Sequence, residues 1–193
     1  MKTPIIKSLI LFALILAVVS VTFVFAILHH EDGENRVSYS LIDQNEQRIS
    51  QKTYEGRYQL VFFGFTSCLA VCPLQMNKLT SVMNKLESGG HKNQVTPIFI
   101  TVDPERDSPQ QIKEYLTFFH EKFVGLTGTR FALQKTTDSF KTLLSKAPIN
   151  QDKNYQITHS SVVYLLDPDN RIIDFIPFAE GTDGMSERIE SFL

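Results

Sequence analysis

The chain has 193 residues, 42% of them hydrophobic and 21% charged, with 19 Lys and Arg against 21 Asp and Glu. This is the composition of an ordinary globular protein with room for one domain and an extension. No basic run or stripe offers a nucleic-acid surface, and no repeat or low-complexity segment interrupts the chain.

The first predicted element is apolar. Residues 8–28, "SLILFALILAVVSVTFVFAIL", are 21 residues without a charge, and about 20 such residues span a bilayer as a helix. Lys2 and Lys7 precede the run and "HHEDGE" follows it, so the positive-inside rule places the N-terminus in the cytoplasm and the remainder across the membrane. A cleaved signal peptide is the competing reading. The run is long for one, and its end, "FAILHHED", lacks an A-x-A site. The expected organisation is a membrane anchor over 1–28, a polar tether over 29–37 and one domain over 38–193. Without Lys2 and Lys7 the exported part keeps 17 basic against 21 acidic residues. The compartment is then an oxidising one, such as a bacterial periplasm, and no organelle transit peptide is evident.

Beyond the tether, "SYSLID" and "QRIS" read as two short strands around the turn "QNE". "YQLVFFGFT" is a continuous apolar run of the kind buried on both faces of a sheet. "PLQMNKLTSVMNKLESGG" reads as a helix, with Leu74, Leu79, Val82, Met83 and Leu86 at helical spacing and Gly89-Gly90 as its stop. "VTPIFITVD" is a second buried strand. "DSPQQIKEYLTFFHEKF" is a helix with a clear start: Ser108 as cap, Pro109 at the first helical position and Gln111 completing a capping box. A further helix is expected near "TDSFKTLLSKA". "SSVVYLLD", "PDN" and "RIIDFIPF" form a hairpin pattern, and "GMSERIESFL" a closing helix. Strand–helix–strand units favour a parallel core with right-handed crossovers, and the hairpin makes the sheet mixed. The predicted fold is α/β: a thioredoxin-like mixed sheet flanked by helices, behind an N-terminal transmembrane helix.

The chemistry centres on Cys68 and Cys72, the only cysteines. They sit on the loop after a central strand, where open α/β sheets place their sites. Pro73 suits a first helical turn and disfavours helical geometry in the residue before it, which puts Cys72 near a helix N-cap. Backbone N–H groups and the helix dipole there favour thiolate over thiol. Thiolates are nucleophiles and soft metal ligands alike. A structural disulfide is the commonest use of two exported cysteines, but a three-residue gap closes a tiny loop and stabilises little. His159, in "ITHSSVVYLL", is a third candidate ligand, since its loop lies at the cysteine end of a thioredoxin-like sheet. Two thiolates and an imidazole suit copper; zinc accepts the set but prefers a fourth ligand. A lone histidine before a strand is more often a turn residue.

Four ordered motifs resemble the SCO/SenC family (synthesis of cytochrome c oxidase), membrane-anchored thioredoxin-fold copper proteins. "FFGFTSCLAVCP" is similar to the family's G-[FY]-T-x-C-x-x-x-C-P signature, and "TVDPERDSP" to its V-D-P-x-R-D-[ST]-P motif. "GLTGT" and "THSSVVYLLDPDNRI" match later motifs, the second carrying the family histidine. The resemblance implies that Cys68, Cys72 and His159 bind copper, as Cu(I) or Cu(II). It also implies delivery of that copper to the CuA site of cytochrome c oxidase subunit II. Some members resemble thiol–disulfide reductants that prepare the CuA cysteines, with Cys68 and Cys72 as the redox pair. The cysteines must be reduced to bind Cu(I), which in an oxidising compartment calls for a thiol reductant as partner. The expected location is a bacterial inner membrane, single-pass, with the C-terminal domain in the periplasm. Ser67, Leu69 and Ala70 depart from the family's H-C-P-D-x-C-P pattern and remove the acid between the cysteines.

The family keeps an acid at Asp103, which gives it a possible place behind the metal ligands; the plainer reading is a turn held by an Asp103–Arg106 pair. Met76 is expected to fill core rather than offer sulfur. His29 and His30 are read as a wet tether, and His91 and His120 as solvated. A thiol peroxidase is the third function class the fold allows, although fold alone does not give function.

Overall fold

The computed structural model describes residues 3–31, 35–142, 144–146 and 157–193, without the side chains of 3–10, 26–31, 144–146 and 158–159. It divides into two units, Met1–Arg36 and Val37–Leu193. The first is helix α1, Thr3–Glu31. Its described side chains, 11–25, are exposed throughout. Among the described residues no helix is long and apolar enough to cross a membrane. The side chains of His29 and His30 and residues 32–34 of the expected tether lie outside the described residues.

The second unit is a seven-stranded mixed sheet. Its strands are β1 (Ser40–Asp43), β2 (Arg48–Ser50), β3 (Tyr58–Gly64), β4 (Val95–Thr101), β5 (Val124–Thr127), β8 (Val163–Leu166) and β9 (Ile172–Ile176). A separate two-stranded ladder joins β6 (Leu144–Lys146) to β7 (Ile157–His159). The sheet order is β2-β1-β5-β4-β3-β8-β9. β3, β4 and β5 run parallel, and the neighbours on either side run antiparallel. β3 and β4 are buried over nearly their whole length, as their unbroken apolar sequences require.

The helices are α2 (Val71–Ser88), α3 (Pro109–Leu116), α4 (Arg130–Ser139) and α5 (Thr182–Glu190). Right-handed crossovers from β3 to β4 and from β4 to β5 advance in one direction, so α2 and α3 share a face of the sheet. α3 starts as its sequence dictates: Ser108 Oγ accepts from the Gln111 N–H, Gln111 Oε1 accepts from the Ser108 N–H, and Pro109 follows the cap. It lies close on β5. A Cβ built on Gly125 would come within 2.1 Å of Ile112 Cγ2, so no larger residue fits there.

Four expectations change. α3 ends at Leu116, not near Phe123; the backbone turns so that the His120 N–H donates to Thr80 Oγ1 of α2. His120 is therefore buried, its Nε2 3.7 Å from Glu87, rather than solvated. The helix expected near "TDSFKTLLSKA" lies upstream as α4, capped by Thr129 Oγ1, and Leu144–Lys146 is a strand. Leu74, counted in the buried stripe of α2, is 57% exposed, while Met76 is core.

Candidate metal centre

The site is built at the C-terminal end of β3. Gly64 ends the strand, and a Cβ there would lie 2.8 Å from a Phe99 ring carbon and 3.2 Å from Cys72 Sγ, so only glycine lets the loop pass. The chain turns at once: the Cys68 N–H donates to the Phe65 carbonyl at 3.2 Å. α2 then begins with Ala70 as its N-cap residue and Cys72 as the second residue inside. The helix thus starts slightly earlier than Pro73 suggests, and Cys72 belongs to its first turn.

Both cysteines are thiols, Cys68 partly exposed and Cys72 buried. Their surroundings push them apart. For Cys68, burial works against the thiolate. The backbone N–H groups of Cys72, Ala70 and Val71 and the Cys72 thiol outweigh it, so its pKa falls below the ordinary thiol value. These are the unpaired amides of a helix start. For Cys72, burial dominates and pushes the pKa far up; the Phe65 backbone opposes this, and charge on Cys68 and Asp107 adds to it. One sulfur is a reachable nucleophile. The other holds its proton and donates it toward the first.

The loop is fixed from beneath by Asp107, which sequence reading passed over. Its fully buried carboxylate accepts from the Thr66 N–H at 3.0 Å, from Thr66 Oγ1 and from Thr101 Oγ1. Burial raises its pKa; the hydrogen bonds from Thr101 and Thr66 oppose the rise, and the Asp103 charge adds to it. Asp107 directly precedes the Ser108 cap and is the second acid of "TVDPERDSP". Nothing in the motif announces a bond to Thr66, 41 residues back.

Asp103 is buried and paired with Arg106, whose Nε donates to its carboxylate. Its carbonyl accepts from the N–H groups of Arg106 and Asp107. This is the turn-holding pair. It also touches the site, because the Arg106 guanidinium lies 5.5 Å from the centre of the Phe65 ring, on the cysteine loop.

His159 ends β7, its backbone paired with Leu144. Four residues later Val163 pairs with Phe62 in antiparallel register. The segment entering β8 therefore lies at the end of the sheet where β3 gives way to the cysteine loop. The side chain of His159 is outside the described residues. Among those described, no three His, Cys, Asp or Glu side chains cluster as a metal cage.

The outer tip of the loop is different in kind. Ser67, Leu69 and Ala70 are exposed, Leu69 at 91%, and Leu74 extends the apolar surface along α2.

A mixed sheet flanked by helices, with a reduced cysteine pair at the start of the helix after a central strand, defines a dithiol protein of thioredoxin-like fold. The SCO1/SenC family model matches residues 29–193. An SCO2-like protein of Rickettsia prowazekii is 42% identical over 134 residues, covering 69% of this chain and 64% of its own length. The human mitochondrial SCO1 homolog is 35% identical over 137 residues, 71% of this chain and 46% of its own. The chain thus spans less than two thirds of the length of these relatives. Among solved structures, Arabidopsis thaliana ScoI with copper bound is 32% identical at a TM-score of 0.75, covering 81% of this chain and 96% of that one. Yeast Sco1 with copper bound is 29% identical at 0.75, covering 81% and 86%. The chain belongs to the SCO1/SenC family.

Proposed function

We propose that this protein is a copper-binding assembly factor for cytochrome c oxidase. The carrying observation is the pair of reduced sulfurs, side by side at the cysteine end of the sheet, with the strand bearing His159 leading to the same end. Two soft sulfur donors suit Cu(I), and an added imidazole suits Cu(II). The donor set therefore fits the metal that the Arabidopsis and yeast relatives hold. Cys68, Cys72 and His159 would hold it, with Asp103 and Asp107 behind them. Copper is cargo here, and its recipient is the CuA site of subunit II. We further propose that residues 8–28 anchor the chain in a bacterial inner membrane with the domain in the periplasm, which the uncharged run and flanking charges support. A thiol reductant would keep the pair open.

A second reading draws on the unequal cysteines. A low-pKa exposed Cys68 beside a protonated buried Cys72 is the arrangement of an attacking and a resolving thiol. In reducing the CuA cysteines the pair would give up two electrons and two protons and close its own disulfide.

Mixing the copper-loaded protein with a reduced, metal-free CuA domain separates the two. Appearance of the CuA absorption bands, lost in Cys72→Ala, supports delivery. Reduction of an oxidised CuA domain with no metal transfer replaces delivery with the reductant role.

A further inference from the structure

Among the described residues, two polar side chains behind the cysteines have no hydrogen-bond partner while both sulfurs are thiols. Gln75 is fully buried, and both its amide atoms lack one; the Tyr115 hydroxyl is buried and lacks one too. Buried polar groups are nearly always bonded, and an unmet one is destabilising.

Both groups lie at the cysteine end. Gln75 follows Cys72 by three residues, and a helical side chain leans over the turn preceding its own Cα. Its amide is thus carried toward Cys72. On the neighbouring helix, His120 just beyond α3 meets Thr80 of α2. Tyr115 lies in the last turn of α3, which shares this face of the sheet with α2. The Tyr115 ring rests on Phe99, centroids 5.6 Å apart. That Phe99 ring and Cys72 Sγ flank the same face of Gly64. After burial, charge on Cys72 and then Cys68 is what raises the Tyr115 pKa, which marks the hydroxyl as their neighbour.

A thiol sulfur is a weak acceptor, whereas a metal-bound sulfur is a thiolate. We propose that Gln75 and Tyr115 are positioning residues for the metal-loaded site: the Gln75 Nε2–H and the Tyr115 O–H donate to the cysteine sulfurs once these carry charge. The Gln75 Nε2–H and the Tyr115 O–H are then unmet with thiols and met with thiolates, and the difference appears as metal affinity. This rests on the copper reading.

The test uses the reduced full chain and two near-isosteric changes, Tyr115→Phe and Gln75→Met. Three quantities are read: the melting temperature without metal, Cu(I) affinity against a strong competitor, and the sulfur-to-Cu(II) charge-transfer band. Each variant is expected to melt a few degrees higher without metal, because an unmet polar group is gone. Each is also expected to bind Cu(I) about tenfold more weakly, as for other groups that orient metal ligands, and to shift the band to longer wavelength. A merely structural role moves only the melting temperature. Affinity and band unchanged in both variants, with wild type binding normally, overturn this inference alone. A wild type that yields all its copper to the competitor overturns the copper reading and this inference with it.

Discussion

The inner wall and the outer tip of the cysteine loop lie within a few residues of each other, yet they are built by opposite rules. The wall is buried and closely fitted: Asp107 takes three hydrogen bonds from Thr66 and Thr101, and Gly64 leaves no room between Phe99 and Cys72. The tip is exposed and apolar, with Leu69, Ala70 and Leu74 making no structural demand. Where the chain keeps the family motif it is holding geometry. Where it departs, at Ser67, Leu69 and Ala70, the changed side chains are exposed. The loss of the acid between the cysteines therefore falls on the exposed tip rather than on the buried wall.

Changes to the wall should cost the most. Asp107→Ala strands three donors, two of them hydroxyls able to turn elsewhere. About 2–3 kcal/mol of stability is expected to go, a fall of several degrees in melting temperature by circular dichroism. A variant as stable as wild type would remove Asp107 as the buttress. Gly64→Ala drives a methyl into the Phe99 ring and Cys72 sulfur, for about 1–3 kcal/mol by the same measurement. A weakened copper site should accompany it, because Cys72 is displaced.

The cysteines give the comparison a pH signature. Cys72 has a raised folded pKa, so its contribution to stability is in place below the unfolded value of about 8.5 and is lost as pH rises above it. Cys68 has a lowered folded pKa, so its contribution is present above the unfolded value and is lost as pH falls through the folded one. Melting curves of the reduced protein from pH 7 to 10.5 should therefore show a decline that Cys72→Ala flattens and Cys68→Ala steepens. The thiolate absorbance that appears first as pH rises should be missing in Cys68→Ala and remain in Cys72→Ala.

The smallest effect belongs to the tip. Leu69→Asp is expected to alter stability by less than about 0.5 kcal/mol and copper affinity by less than twofold, since the side chain is exposed. It should change the rate of copper transfer to a CuA domain. A change in stability comparable to that of Asp107→Ala would erase the distinction between wall and tip.

The long apolar strands β3 and β4 and the capped start of α3 were readable because local pattern and tertiary role agree there. β5 was not, since "VGLT" is four residues with a glycine whose only purpose is to admit α3. The end of α3 is hidden from the sequence because its periodicity continues while His120 turns inward to Thr80. At the site, the cysteines stood out by type and spacing. Asp107, Gln75 and Tyr115 did not: their roles depend on which helices and loops pack together, and no short motif encodes that.

The proposed copper site is made by two cysteines and a histidine from a distant strand. It is tested most directly by Cu(I) stoichiometry of the reduced full chain against a strong competitor, beside Cys72→Ala and His159→Ala. One copper per wild-type chain, lost in both variants, is the predicted result. Full retention in His159→Ala would contradict the three-ligand site, and no copper in wild type would leave the cysteine pair as a redox device alone.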